Sequence, residues 1–154
     1  MEVKIVDYQP QYQQHFRDLN VEWISKYFKM ETSDYLALDN PQGYILDKGG
    51  CIIVALYQGE PVGVCALINS THPEFDYELG KMAVSPQAQG KSIGFLLGKA
   101  ILEKARALGA KKVFLESNTI LKPAISLYYK LGFEKISSFP SPYERANIQM
   151  VVEL

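Results

Sequence analysis

The chain is poor in the residues that bind metals or form disulfides. Among 154 residues there are two cysteines, Cys51 and Cys65, and two histidines, His15 and His72. Two isolated imidazoles lack the clustered spacing of a zinc site, so no metal is expected and both read as surface residues. If residues 51–69 form a hairpin turning near Gly59, the two thiols stand at staggered heights and do not bond. Unpaired thiols point to a reducing, cytoplasmic setting. Sixteen basic residues against seventeen acidic ones leave a net charge of −1 with both signs interspersed, so neither a nucleic-acid nor a membrane partner is implied. No apolar run approaches the ~18 residues of a membrane span. The opening Met1-Glu2-Val3-Lys4-Ile5-Val6-Asp7 alternates like a strand and lacks a signal peptide's apolar segment. Internal repeats, low-complexity tracts and interdomain linkers are absent as well. What is present is 47% hydrophobic residues, which suits a single domain, residues 1–154, with its own core.

The pattern of that content alternates between strands and helices. Glu2–Tyr8 reads as a strand, and Pro10–Phe28 carries helical spacing through Phe16, Leu19, Trp23 and Tyr27. The aromatic-rich stretch Trp23–Phe28 reads as core. Thr32-Ser33-Asp34 offers caps for a short second helix ending near Asn40-Pro41. Cys51–Tyr57 and Val62–Asn69 flank the turn Gln58-Gly59-Glu60-Pro61, and Asp76–Val84 is the next strand. A helix from Ile93 to Leu108 stops at Gly109, followed by a strand over Lys111–Ser117. A last helix has Pro123 in its first turn and Gly132 just past its end. Two final strands, Phe133–Phe139 and Ala146–Leu154, surround the loop Pro140–Tyr143. The order is β-α-α-β-β-β-α-β-α-β-β, an α/β fold with a mixed sheet covered by helices on both faces.

The junction between the strand ending at Val84 and the helix after it carries the most specific chemistry. Ser85-Pro86 ends the strand, since Pro cannot continue a central one. The next helix begins with main-chain N–H groups that have no intrahelical partner and with the positive end of its dipole. Gly90, Ser92 and Gly94 let an anion approach that backbone, and Lys91 adds a mobile charge. This predicts a phosphate or pyrophosphate cradle. A nucleotide-hydrolase P-loop, G-x-x-x-x-G-K-[ST], matches Gly90-Lys91-Ser92, but its first glycine falls on Ser85 and no strand ends in a magnesium-binding aspartate. The dinucleotide fingerprint G-x-G-x-x-G is absent.

Gln89 to Gly94 resembles the Q/R-x-x-G-x-G/A motif of the GNAT superfamily of acetyl-CoA-dependent N-acetyltransferases, with Ser92 standing where the middle glycine is usual. Ala124-Ile125-Ser126-Leu127-Tyr128-Tyr129-Lys130-Leu131-Gly132-Phe133 is similar to the family's A-I-x-L-Y-x-K-L-G-F segment, about 35 residues on. With the element order, the resemblance covers nearly the whole chain. It implies the GNAT (acyl-CoA N-acyltransferase) fold, acetyl-CoA as co-substrate, a small-molecule primary amine of amino-acid or polyamine type as acceptor, direct attack in a ternary complex, and a homodimer as a common assembly. Its alternatives are a peptide N-terminus or protein lysine as acceptor, and a coenzyme-A-binding sensor that has lost catalysis.

Such a reaction has a protonation problem. An amine with pKa near 10.4 is neutral only about once in 2,500 molecules at pH 7, equivalent to ~4.6 kcal/mol, so a base, an acid for the thiolate and N–H donors for the oxyanion are needed. The resemblance implies Glu78 as base and Tyr128 as acid, with Tyr129 left to packing. It gives main-chain groups of Met82, Ala83 and Val84 to the pantetheine arm. Gln89, Gly90, Lys91, Ser92, Ile93 and Gly94 go to the pyrophosphate. Asn118 either contacts the coenzyme from its strand end or caps the next helix; the family's common asparagine falls on Leu121. Glu31, Asp34, Tyr35, Tyr77, Glu116, Tyr143 and Arg145 come from segments that line the acceptor cleft. Glu31 or Glu116 suits a cationic amine and Arg145 a carboxylate. The two cysteines lie away from the cradle, so no acetyl-cysteine intermediate is expected.

Overall fold

The computed structural model describes residues 2–154. Seven strands, β1 (Val3–Asp7), β2 (Cys51–Tyr57), β3 (Glu60–Asn69), β4 (Tyr77–Val84), β5 (Lys112–Ser117), β6 (Glu134–Lys135) and β7 (Ile148–Glu153), form one sheet in the order β1-β2-β3-β4-β5-β7-β6. Four helices cover it: α1 (Gln13–Tyr27), α2 (Thr32–Asp39), α3 (Ile93–Ala107) and α4 (Lys122–Lys130). The order of strands and helices is the one expected from the sequence. β1 through β4 pair antiparallel, β4 and β5 form the parallel junction, and β5, β7 and β6 are antiparallel again. Among the described residues no helix is long and apolar enough to cross a membrane.

Alternation along the strands sorts side chains to two cores. Ile53, Cys65, Leu79, Val113, Leu115, Met150 and Val152 face α3 and pack with its Ile93, Leu97, Ile101 and Ala105 stripe. Ile52, Val54, Val64, Ala66 and Ala83 face the other way, onto Phe16 of α1 and Ala37 and Leu38 of α2. α4 lies close on α3 because position 98 has no side chain, and a Cβ there would collide with Leu131. Cys51 and Cys65 are unpaired, as the staggered register Cys51↔Leu67 and Ile53↔Cys65 requires.

Four expectations are corrected. The strand read over Phe133–Phe139 is only Glu134–Lys135. Beyond Ile136 the segment carries Pro140 and Pro142, which lack donors for a ladder, and Phe139 bonds its main chain to the Gln149 side chain instead. The last strand is likewise shorter, Ile148–Glu153. Of the caps offered by Thr32-Ser33-Asp34 only Asp34 acts, and the N-cap is Glu31: its carboxylate and that of Asp34 form a reciprocal capping box. His72 is not a free surface residue, since its ring packs 4.7 Å from Phe75 and 4.6 Å from Phe139.

Candidate active site

Two departures from regular pairing make the site. β4 and β5 share only Tyr77↔Val113 and Glu78↔Phe114 and then diverge, so the main chain of β4 beyond Glu78 has no neighbour on that side. On its other side, β4 carries a bulge. Val64 pairs with Ala83 and Ala66 with Gly80, so Lys81 and Met82 stand opposite the single residue Cys65. Lys81 takes φ +51°, a left-handed conformation that costs a non-glycine residue about 1–2 kcal/mol. The gap opens into a cleft of about 180 Å³ lined by Glu78, Lys81, Met82, Glu116, Asn118, Tyr128, Tyr143 and Arg145, among others.

The candidate base and acid reach this cleft from opposite faces of the sheet. Glu78 lies beside Ile68 on β3 and Phe114 on β5, on the α1–α2 face, whereas Tyr128 of α4 packs with the α3 core and meets Phe133 edge-on at 6.2 Å. Only the divergence of β4 and β5 lets both line one space. Burial pushes the Glu78 carboxyl up, Glu116 adds to the effect and Lys81 opposes it, leaving it at about 7. No hydrogen bond from the described residues reaches that carboxyl. Glu116 lies two residues past Phe114 on the same face, and its Oε1 accepts from Gln149 Nε2 at 2.8 Å. Burial likewise raises the Tyr128 hydroxyl to about 12, so it stays protonated at neutral pH.

A buried ionic cluster closes the other end. Asp34, fully buried, accepts from Lys81 Nζ at 2.6 Å and from both terminal nitrogens of Arg145 at 2.7 and 2.6 Å. Burial alone would raise this carboxyl, but the two cations outweigh it and hold it at about 2. Glu31 accepts from Arg145 at 3.2 Å and from the Glu144 main chain at 2.9 Å. Tyr143 lies between the cations, its ring 4.8 Å from Lys81 Nζ and 4.7 Å from the Arg145 guanidinium, and burial raises its hydroxyl. Glu31 is therefore bound to a cation of the chain and Arg145 to carboxylates of the chain. Neither is a free partner for the acceptor, unlike the expectation from sequence. Glu116 keeps one oxygen without a partner among the described residues.

The remaining expected residues divide clearly. Asn118 donates to the Arg145 carbonyl at 2.7 Å and accepts from Ile120 N–H at 3.0 Å, so its amide ties the end of β5 to the Tyr143–Arg145 loop and caps the following turn. Tyr77 packs into the α3-side core and Tyr35 is exposed on α2, and neither lines the cleft. Trp23 and Phe28, read as core, do line it. Lys81 was not singled out from the sequence at all; a buried lysine inside a strand is visible only once its carboxylate partner, 47 residues away, is in place. Cys65 is fully buried in the apolar core with its thiol raised by burial, an inert environment.

At the far end of β4 lies the turn expected to act as a cradle, at the start of α3. The main-chain N–H groups of residues 90–95 take no partner from the described residues, and the first such bond back to the turn runs from Leu96 to Ser92. Gly90 has φ +83° and open space where a Cβ would stand. Ser92 also lies in the left-handed region, at φ +61° and ψ +21°, whereas Gly94 is helical. The two positions that call for glycine-like backbone are thus 90 and 92. That moves the motif's frame back two residues, to Gln87-Ala88-Gln89-Gly90-Lys91-Ser92. Ile93 turns its side chain into the core, and Lys91 sits 5.3 Å over the Tyr57 ring. An opening flanked by N–H donors suits a pyrophosphate.

Known proteins share the sequence profile and the fold. The sequence profile of the acetyltransferase (GNAT) family matches residues 12–133. An uncharacterised N-acetyltransferase of Escherichia coli, YjgM, is 42% identical over 84 residues, covering 54% of this chain and 50% of that protein. The chain thus spans about half the length of this curated relative. Among solved structures, a GNAT-family acetyltransferase of Staphylococcus aureus superposes with a TM-score of 0.85 at 20% identity, covering 99% of both chains. A phosphinothricin acetyltransferase of Sinorhizobium meliloti, solved with acetyl-CoA, superposes with a TM-score of 0.81 at 22% identity, covering 100% of this chain and 89% of that one.

Proposed function

Because the chain belongs to the acetyltransferase (GNAT) family, we propose that it transfers an acetyl group from acetyl-CoA to the primary amine of a small molecule, by direct attack within one ternary complex. The observation that carries this reading is a carboxyl held at about 7 beside the β4–β5 opening, across from a half-buried, protonated tyrosine. The N–H groups of residues 90–95 bind the diphosphate, and the free edge of β4 at Met82–Val84 pairs with the pantetheine arm as an added strand would. This brings the thioester to the cleft.

An ammonium entering between Glu78 and Glu116 gives one proton to Glu78. A base with pKa near 7 is well matched to that task, being about half ionised at neutral pH yet basic enough to accept a proton. The nitrogen then forms its bond to the acetyl carbon while the carbon–sulfur bond breaks, and Tyr128 protonates the departing sulfur. The nitrogen's second proton restores Tyr128 through solvent, and Glu78 releases the first, so the products are amide, thiol and one proton. Glu78 and Glu116 favour a cationic acceptor, with amino acids and polyamines as the classes to compare.

A thiol-release assay over an amine panel tests the reading. Wild type should release thiol with at least one primary amine. Glu78→Gln should lose about 100-fold or more in kcat and Tyr128→Phe about 10-fold or more, with acetyl-CoA binding retained. Retained binding with no turnover on any amine would instead mark a coenzyme-A-binding sensor.

A further inference from the structure

The cleft carries unmatched charge in one part of its lining and rings in another. Glu78 and Glu116 stand on one face of the sheet, and Glu116 keeps a carboxylate oxygen without a partner among the described residues. The two cations of the lining, Lys81 and Arg145, are matched by Asp34 and Glu31 behind them. Those four charges cancel, so the unmatched charge is that of Glu78 and Glu116. A carboxylate on an entering molecule would lose its hydration here and find no free cation in exchange. Trp23, Phe28, Ile68 and Tyr143 supply apolar lining. Trp23 and Ile68 also pack on the α1–α2 core, but Phe28, half-buried just past the end of α1, joins neither core. A second ammonium is disfavoured beside these rings as well. The Arg145 guanidinium already lies 6.0 Å from the Trp23 ring and 4.7 Å from that of Tyr143, and Lys81 Nζ lies 4.8 Å from the latter. Those positive groups repel another one. A neutral apolar group meets neither objection, and a flat one can stack on rings and guanidinium alike.

We infer that the acceptor is a monoamine with an aromatic or bulky apolar body and no carboxylate, its ammonium between Glu78 and Glu116 and its body against Phe28, Trp23 and Tyr143. This rests on the acetyl-transfer reading and narrows it, setting both free amino acids and polyamines behind such amines. Phe28 is then a residue that determines specificity: it contributes area to the body of the acceptor and nothing to the reacting nitrogen.

A matched set of amines tests this on the wild-type protein. 2-Phenylethylamine carries the ammonium and the ring, phenylalanine adds a carboxylate, phenylalanine amide adds a neutral group at the same carbon, and putrescine replaces the ring by a second ammonium. In kcat/KM, 2-phenylethylamine should exceed phenylalanine and putrescine by about 100-fold or more, with phenylalanine amide within about 10-fold of it. Binding is read without turnover through Trp23, the chain's one tryptophan, whose fluorescence should respond to 2-phenylethylamine at concentrations well below those needed for phenylalanine when coenzyme A is bound. Phe28→Ala should lower kcat/KM for 2-phenylethylamine by about 10-fold or more, expressed in KM, and change that for ethylamine by about 2-fold or less. Phe28→Leu, which keeps an apolar side chain at the position, should fall between wild type and Phe28→Ala. Phenylalanine or putrescine used as well as 2-phenylethylamine would overturn the inference and leave the acetyl-transfer reading intact. So would a Phe28→Ala loss equal for ethylamine and 2-phenylethylamine. Acetyl-CoA binding with no turnover of any amine would overturn the acetyl-transfer reading and this inference with it.

Discussion

On the α3–α4 face of the sheet the fully buried side chains are apolar, whereas the α1–α2 face carries Asn20, Asp34, Lys81 and Gln149 among its aliphatic residues. The first face is a scaffold. Its stripe from Ile93 to Ala105 gains stability by removing apolar area from water, which is non-directional and tolerant of small shifts. The second face spends stability on directional bonds: Asn20 to Lys81, Asp34 to Lys81 and Arg145, Gln149 to Glu116 and Phe139. These fix orientations that burial alone would leave loose. Rigidity on one side thus supports aim on the other, and the cleft lies where the two meet at the β4–β5 divergence.

The difference can be broken most forcefully at Asp34. Asp34→Ala leaves Lys81 and part of Arg145 as buried, uncompensated charge, and chemical denaturation should show a loss of about 3–5 kcal/mol. A loss below about 1 kcal/mol would mean that the cluster is not structurally coupled. On the scaffold face, Leu97→Ala should cost about 3 kcal/mol by leaving a cavity, with a pH–rate profile unchanged in shape. A displaced profile would show that this face also tunes the chemistry. Glu78→Gln should act in the opposite sense on stability. A carboxyl raised from 4.5 to about 7 favours the folded state fully below pH 4.5 and penalises it as pH rises through 7. Removing it should therefore stabilise the fold at pH 8 by roughly 2–3 kcal/mol and leave stability at pH 4 nearly unchanged, read by denaturant midpoints at the two pH values. Ser92→Gly should give the smallest effect, a gain of about 0.5–1 kcal/mol in thermal unfolding from relief of the left-handed conformation. A destabilisation there would show that the serine side chain contributes a bond of its own.

The same contrast explains what could be read from the chain. Period and turn residues are local, so α3, its stop at Gly109 and the small-residue turn that opens α3 were legible, as was the Leu127-Tyr128 placement on α4. Glu78 was legible as a carboxylate on the strand before the cradle. The partners of Glu31 and Arg145 were not, because their bonds join residues more than 100 apart and no local pattern records such a pairing. Lys81 escaped for a related reason: its left-handed backbone comes from a bulge set by the register of β3. The short β6 was hidden by a run of strand-favouring residues whose main chain bonds to Gln149 rather than to a ladder.

The central claim is that Glu78, raised by burial and by Glu116, accepts the amine's proton beside a thioester held at the β4–β5 opening. Its most direct measurement is kcat/KM for acetyl transfer against pH in wild type and in Glu78→Gln. Wild type should lose activity tenfold per pH unit below an acid limb at about 7, since only the ionised carboxyl is active, and Glu78→Gln should be slower by about 100-fold and lack that limb. A variant that keeps both the rate and the limb near 7 would contradict the account.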